Sequence, residues 1–237
     1  MRALSDTDLF RVWESGYRLH PLDRALVTLG AALPETPVQR LADWPLGRRN
    51  KALLELRCAC FGSGIHGWAA CPGCAEKLEF EIDARVLSGA ASQDADEPQE
   101  PIVVNSRAFR LPTSRDLAGA ATVSDSRSTA VHIIDGCRIQ ADENAAWSEA
   151  EIAEIEQRMA SADPLAEIRL KLDCPACGLQ WEESLDIGSF LWEEIEARAR
   201  RLVLAVHTLA SAYGWTEAEI LSLSENRRAL YLELAQS

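Results

Sequence analysis

The 237-residue chain lacks any apolar run approaching the about 20 residues that a membrane helix requires. Met1-Arg2-Ala3-Leu4-Ser5-Asp6 leads into an amphipathic segment and not into the continuous apolar stretch of a signal peptide. Positive charge is also short: the formal net charge is −13, whereas a nucleic-acid binder presents a basic face that releases counterions from phosphate. The basic clusters Arg198-Ala199-Arg200-Arg201 and Arg227-Arg228 sit among glutamates and read as solvated helix faces laced with ion pairs. There is no Gly-x-Ser-x-Gly, no phosphate-cradling glycine loop and no dinucleotide fingerprint. His20, His66, His132 and His207 are scattered, and Glu182-Glu183 and Glu193-Glu194 are ordinary surface charge. These absences lead us to expect a cytoplasmic protein with no catalytic residues, no membrane partner and no nucleic-acid partner.

What is present is a chain 47% hydrophobic, able to build a core without disulfides. Ser5 to Asp8 is a capping-box pattern with Leu4 and Leu9 as its staple, predicting a helix over Asp6–Ser15 that Gly16 ends. Further helices are expected over Pro21–Leu33 and Arg48–Cys60. Leu78, Phe80 and Ile82 then alternate with Glu79 and Glu81, the period of a half-buried strand. Residues 89–101, poor in large apolar side chains, read as a flexible linker. A short hairpin is predicted around Asn105-Ser106-Arg107, a helical stretch from Pro112-Thr113-Ser114, and a capped helix from Ser148 to before Asp163-Pro164. Leu191, Ile195, Ala199, Leu202, Val206, Leu209 and Tyr213 form the stripe of a long helix ended by Gly214. Thr216 and Glu219 cap the next helix, and Ser224 starts the last.

The most specific signal is the recurrence of Cys71-Pro72-Gly73-Cys74 as Cys174-Pro175-Ala176-Cys177. In each copy a glutamate follows the second cysteine by five residues (Glu79, Glu182) and an aspartate by nine (Asp83, Asp186). Each pair also follows a strand-like segment and, before that, a helix, which reads as an internal repeat. Four thiolates from two such turns form a closed tetrahedral Zn2+ site, structural because no position is left for water. The pairs lie about 100 residues apart, yet loop closure costs only ~0.6 kcal/mol more per doubling of length. Structural zinc binding is worth ~10–16 kcal/mol in small peptides. We therefore expect one zinc per chain, held by Cys71, Cys74, Cys174 and Cys177, clasping two halves of the molecule. Cys58, Cys60 and Cys137 read as buried thiols, and His66 is a reserve ligand.

Ala52-Leu53-Leu54-Glu55-Leu56-Arg57, Phe61-Gly62 and the first cysteine pair with Asp83 resemble the baseplate hub assembly chaperone family of T-even-type contractile-tailed phages and related contractile injection systems. The second half repeats the theme in Leu111 to Leu117, Ile168-Arg169-Leu170 and the second cysteine pair with Asp186. Phe190 to Glu194, Tyr213 to Leu221 and Arg227-Arg228 are similar to segments of tail-cluster proteins. The resemblance implies a non-enzymatic assembly chaperone or structural component whose partners are baseplate or hub proteins, with incorporation into a phage-tail-like particle as a further implication.

The fold expected is α+β and mainly helical, with two duplicated β-knuckle units sharing a split zinc-ribbon site and a C-terminal helical region. The ranges are 1–88 for the first unit, 89–101 for the linker, 102–187 for the second unit and 188–237 for the C-terminal helices. Trp192, Trp215 and Tyr231, more aromatic surface than a short tail buries alone, are the candidate partner-binding residues. A zinc-ribbon adaptor for nucleic acid or transcription machinery, and a thiol redox protein, are the competing readings.

Overall fold

A computed structural model describes residues 1–89, 100–140 and 147–235. Most of the expected linker, residues 90–99, falls outside them. The chain begins with α1 (Asp6–Gly16), α2 (Pro21–Ala32), α3 (Val38–Ala42) and α4 (Leu46–Phe61). The capping box predicted for α1 is formed, with Ser5 Oγ accepting from the Asp8 amide and the Asp8 carboxylate accepting from the Ser5 N–H. Leu4 and Leu9, its staple, are both buried.

Gly16 has a role that periodicity does not reveal. A methyl group there would stand 2.6 Å from the Trp192 ring, so the absent side chain is what lets that indole lie against α1.

β1 (Gly64–Ala70) and β2 (Lys77–Asp83) form an antiparallel hairpin, followed by α5 (Ala84–Gly89). After residue 100 come β3 (Ile102–Val104) and β4 (Arg107–Phe109), joined by Asn105 and Ser106, both at positive φ, as a two-residue hairpin turn requires. Three helices follow: α6 (Ser114–Ala120), α7 (Ser126–Cys137) and α8 (Glu149–Ala162). A third hairpin, β5 (Ile168–Asp173) with β6 (Gln180–Leu185), leads into the long helix α9 (Ile187–Tyr213), and α10 (Glu217–Ser222) and α11 (Glu225–Ala235) complete the described chain. The protein is thus mixed helix and sheet, with its strands in short antiparallel pairs.

Among the described residues there are two apolar cores. One gathers Leu9, Leu29, Leu41, Leu53, Leu54 and Leu56 from the first four helices, Leu191, Trp192 and Ile195 from α9, and Ile65, Ile168 and Leu170 from the two cysteine-bearing hairpins. The other packs Phe109, Ile134, Cys137, Trp147, Ile155 and Met159 between the β3–β4 hairpin, α7 and α8. The third hairpin, although distant in sequence from α1 to α4, therefore buries its apolar face in the core those helices build.

The C-terminal helices are fastened by charge as well as by their stripe. Arg57, 3% exposed, donates from Nε and Nη2 to the two carboxylate oxygens of Glu194 at 3.0 and 2.7 Å. Asp6 on α1 accepts from Arg198 on α9 and from Arg228 on α11, and Arg198 also reaches Glu225. Arg198 and Arg228 are thus structural anchors, which corrects their reading as solvated helix faces. Arg200 keeps that reading and pairs with Glu196 one turn away.

Trp192 also needs correction as a partner-binding residue. It is 5% exposed, buried against Gly16 and beneath Arg24, and has no face to offer. Its position one step off the α9 stripe still falls within the arc that the surrounding helices cover. Trp215 stacks on Tyr213 at 4.7 Å between centroids and meets Tyr231 edge-on at 4.8 Å, a self-packed cluster of rings. Among the described residues, no helix is long and apolar enough to cross a membrane.

Candidate metal centre

The cysteines lie in two six-residue turns, one joining β1 to β2 and one joining β5 to β6. Both turns close through the same backbone bonds. Cys71 N–H donates to Glu76 O at 2.8 Å and Ala75 N–H to Cys71 O at 2.9 Å, while Cys174 N–H donates to Leu179 O at 2.9 Å and Gly178 N–H to Cys174 O at 2.8 Å. The residue after the second cysteine takes positive φ in each, 60° at Ala75 and 74° at Gly178. Only the second turn places glycine there.

The turns face each other. Cys71 Sγ lies 3.6 Å from Cys177 Sγ, and Cys74 Sγ lies 3.6 Å from Cys174 Sγ, so the short approaches run across the turns. All four sulfurs lie within 4.8 Å of one another. A tetrahedral site with metal–sulfur bonds of ~2.3 Å has sulfur–sulfur edges of about 3.8 Å. The donor set fits that geometry, and every cysteine in the chain is a free thiol. Cys71 and Cys174 are buried while Cys74 and Cys177 face solvent. The Gly73 amide points at Cys71 Sγ at 3.4 Å, and Leu179 of the opposite turn packs over Gly73, where a side-chain carbon would approach it to 3.0 Å.

The electrostatics of the thiols point the same way. Burial raises the Cys71 thiol, but the Cys74 and Gly73 amides and the thiols of Cys174 and Cys177 outweigh it and bring it down to about 7. The Glu76 amide lowers the Cys74 thiol, yet its three sulfur neighbours and the loss of water push it up to about 12. For Cys177 the Leu179 amide lowers the thiol, and the Cys71 sulfur together with burial raises it more. Four sulfurs in contact cannot all ionise unless a cation shares the site.

The other sulfurs are apart. Cys60 Sγ accepts from the Leu4 amide at 3.3 Å, and burial raises both the Cys58 and Cys60 thiols. Burial likewise pushes Cys137, in the second core, up to about 12. His66 stands exposed on β1 with Nε2 3.9 Å from Glu81 and takes no part in the sulfur cluster.

A second junction between the same regions was not visible in the sequence. At the start of α4 the Gly47 amide donates to the Asp163 carboxylate at 2.8 Å, and Asn50 Nδ2 donates to the carbonyls of Leu165 and Ala166. The Leu46 amide donates to Pro112 O, and Arg49 Nη1 donates to Ser114 Oγ. Asp163 thereby caps α4 from 116 residues away. Its only sequence signal, Asp163-Pro164, reads as a helix stop. The site is thus a four-sulfur cluster able to hold a metal ion. Compared with family models, with curated proteins and with solved structures, the chain matches none.

Proposed function

We propose that the four thiolates hold one structural Zn2+ and that the protein is a non-enzymatic assembly chaperone or structural component of the baseplate of a contractile tail or tail-like injection system. The observation that carries the first part is the sulfur cluster: four cysteines from two distant turns at tetrahedral separations, a set that leaves no position for water or substrate. A thiolate tetrad also suits iron, and an iron-loaded protein is coloured where a zinc-loaded one is not. The matching hydrogen bonds of the two turns support reading them as copies of one knuckle unit.

The second part rests on the resemblance of short motifs, and the positions of those motifs explain what they do. Leu53, Leu54, Leu56 and Arg57 meet Leu191, Trp192 and Glu194 in the first core. Thr113 and Asp116 form the cap of α6, the Asp116 carboxylate accepting from the Thr113 amide and hydroxyl. They are framework residues, so the similarity supports a shared scaffold that works by contact. Co-expression with hub and baseplate proteins of a contractile tail tests this. A stable complex with a hub or baseplate protein, lost when either cysteine pair is replaced, is the expected result. Neighbouring genes that encode no sheath, tube or spike, or tail particles that assemble normally without the protein, overturn it.

A further inference from the structure

Away from the sulfur cluster, α2, α4, α6, β5, β6 and the first turn of α9 enclose a cavity of about 180 Å³. One of its lining residues is Arg49, 6% exposed. A guanidinium taken out of water ordinarily has a carboxylate partner, because an unpaired buried charge is among the costliest features a fold can keep. Arg57 and Arg228 follow the rule with Glu194 and Asp6. Arg49 does not. Its Nε and Nη2 donate to Asn50 Oδ1 at 3.1 and 2.9 Å and its Nη1 to Ser114 Oγ at 3.1 Å, all neutral acceptors.

Two carboxylates also line the cavity, but both are committed elsewhere. Asp186 caps α9, accepting from the Gly188 and Ser189 amides and from Ser189 Oγ, and it acts on Arg49 only at a distance. Glu167 is held by Arg169 at 2.8 Å. With three acceptor bonds formed, the five N–H groups of Arg49 retain donors for one more acceptor. The remaining wall is mixed, with Leu22, Ala25, Leu117 and Ile168 forming its apolar part beside Asn50 and Ser184. Its volume is on the order of six liquid-phase waters.

We infer that this cavity is a binding site for a small monocarboxylate, whose oxygens complete the charge of Arg49 while a short hydrocarbon chain lies against Leu22, Ala25 and Leu117. Asp186 and Glu167 oppose each added negative charge, so a singly charged carboxylate with apolar contacts is favoured over the phosphate dianion, which has none. This site is independent of the sulfur cluster and of any role in a tail.

The test is thermal unfolding and calorimetric titration of the full chain with sodium acetate, butyrate and hexanoate at fixed ionic strength, with chloride and inorganic phosphate as controls. Butyrate is expected to bind more tightly than acetate and to raise Tm by roughly 5–10 °C at a hundredfold excess over Kd. Phosphate and chloride are expected to do nothing. Arg49→Met should abolish the shift, and Arg49→Lys, which keeps the charge but loses the fork, should weaken binding at least tenfold. Should Arg49→Met fail to fold, Leu117→Trp fills the cavity with Arg49 in place and must remove the butyrate shift. No shift with any carboxylate, an equal shift with phosphate, or a shift that survives Arg49→Met or Leu117→Trp overturns the inference.

Discussion

Two of the junctions that join residues 1–89 to residues beyond 100 are built on opposite principles. The sulfur clasp brings Cys71 and Cys74 to Cys174 and Cys177 through a thiol cluster in which Cys74 and Cys177 are hindered from ionising. The seam at the start of α4 is made of Asp163, Asn50 and backbone groups that satisfy one another directly. The clasp is therefore a junction able to hold a cation, and the seam is one made of protein groups alone. With the proposed zinc in the clasp, the seam holds without metal and the clasp depends on it.

Metal removal separates the two most strongly. Replacing either cysteine pair with serine, or stripping the protein with a chelator, is expected to lower Tm and to open the two hairpin turns to amide exchange. Structural zinc is worth ~10–16 kcal/mol in small peptides, and here only part of that falls on global unfolding, because two apolar cores remain. Protection at the Leu46 and Gly47 amides should persist. Equal loss of protection at both junctions would erase the distinction between them.

A third junction, between α4 and α9, gives the next effect. Glu194→Ala leaves Arg57 buried without its carboxylate and is expected to destabilise by about 3 kcal/mol, read by urea unfolding. Arg57→Met with Glu194→Gln should recover most of that. Equal stability of Glu194→Ala and the parent would show that Gly62 O, the other acceptor of Arg57, suffices.

The seam responds more gently. Asp163→Ala removes the cap from the Gly47 amide and should cost about 1 kcal/mol. Burial raises the Asp163 carboxyl above its ordinary value, the Gly47 bond offsetting it only in part. The folded state therefore holds this proton more tightly than the unfolded state does. Its contribution to stability is full below the ordinary carboxylate pKa and falls away as pH rises through the raised one. Asp163→Asn keeps an acceptor without the charge, so it should match or exceed the parent at pH 7 and lose that advantage in acid. A parent-like pH profile in Asp163→Asn would show that the carboxyl is not perturbed.

The smallest effect lies within the clasp. Ala75 holds φ 60° where Gly178 stands in the opposite turn, so Ala75→Gly should stabilise by about 0.5 kcal/mol, detectable as a small rise in urea midpoint. Gly178→Ala should do the reverse. Identical responses of the two turns to these exchanges would show that their shared hydrogen bonds do not impose a shared backbone.

The legibility of each feature follows from how local its physics is. The caps at Ser5, Ser148 and Thr216 are complete within four residues, and all three formed. The cysteine turns were legible because their spacing repeats. The short helix Val38–Ala42 has too few residues to show a period, and Ser126–Cys137 opens on Ser, Arg, Ser and Thr with only an Asp125 cap to mark it. The seam was hidden because Asp163 and Asn50 are polar residues that read as solvent-facing, and only tertiary placement buries them. Trp192 was misplaced for the same reason: the space that receives it is the missing side chain of Gly16, 176 positions away in a different helix.

The most direct test of the clasp is metal content per chain, measured by native and elemental mass spectrometry on the parent, on Cys71→Ser with Cys74→Ser, and on Cys174→Ser with Cys177→Ser. The account predicts one zinc in the parent and none in either variant, since each pair supplies only half the ligands. Two metals per parent chain, or zinc retained by one variant, would mean that the pairs bind separately and that no shared ion joins the two turns.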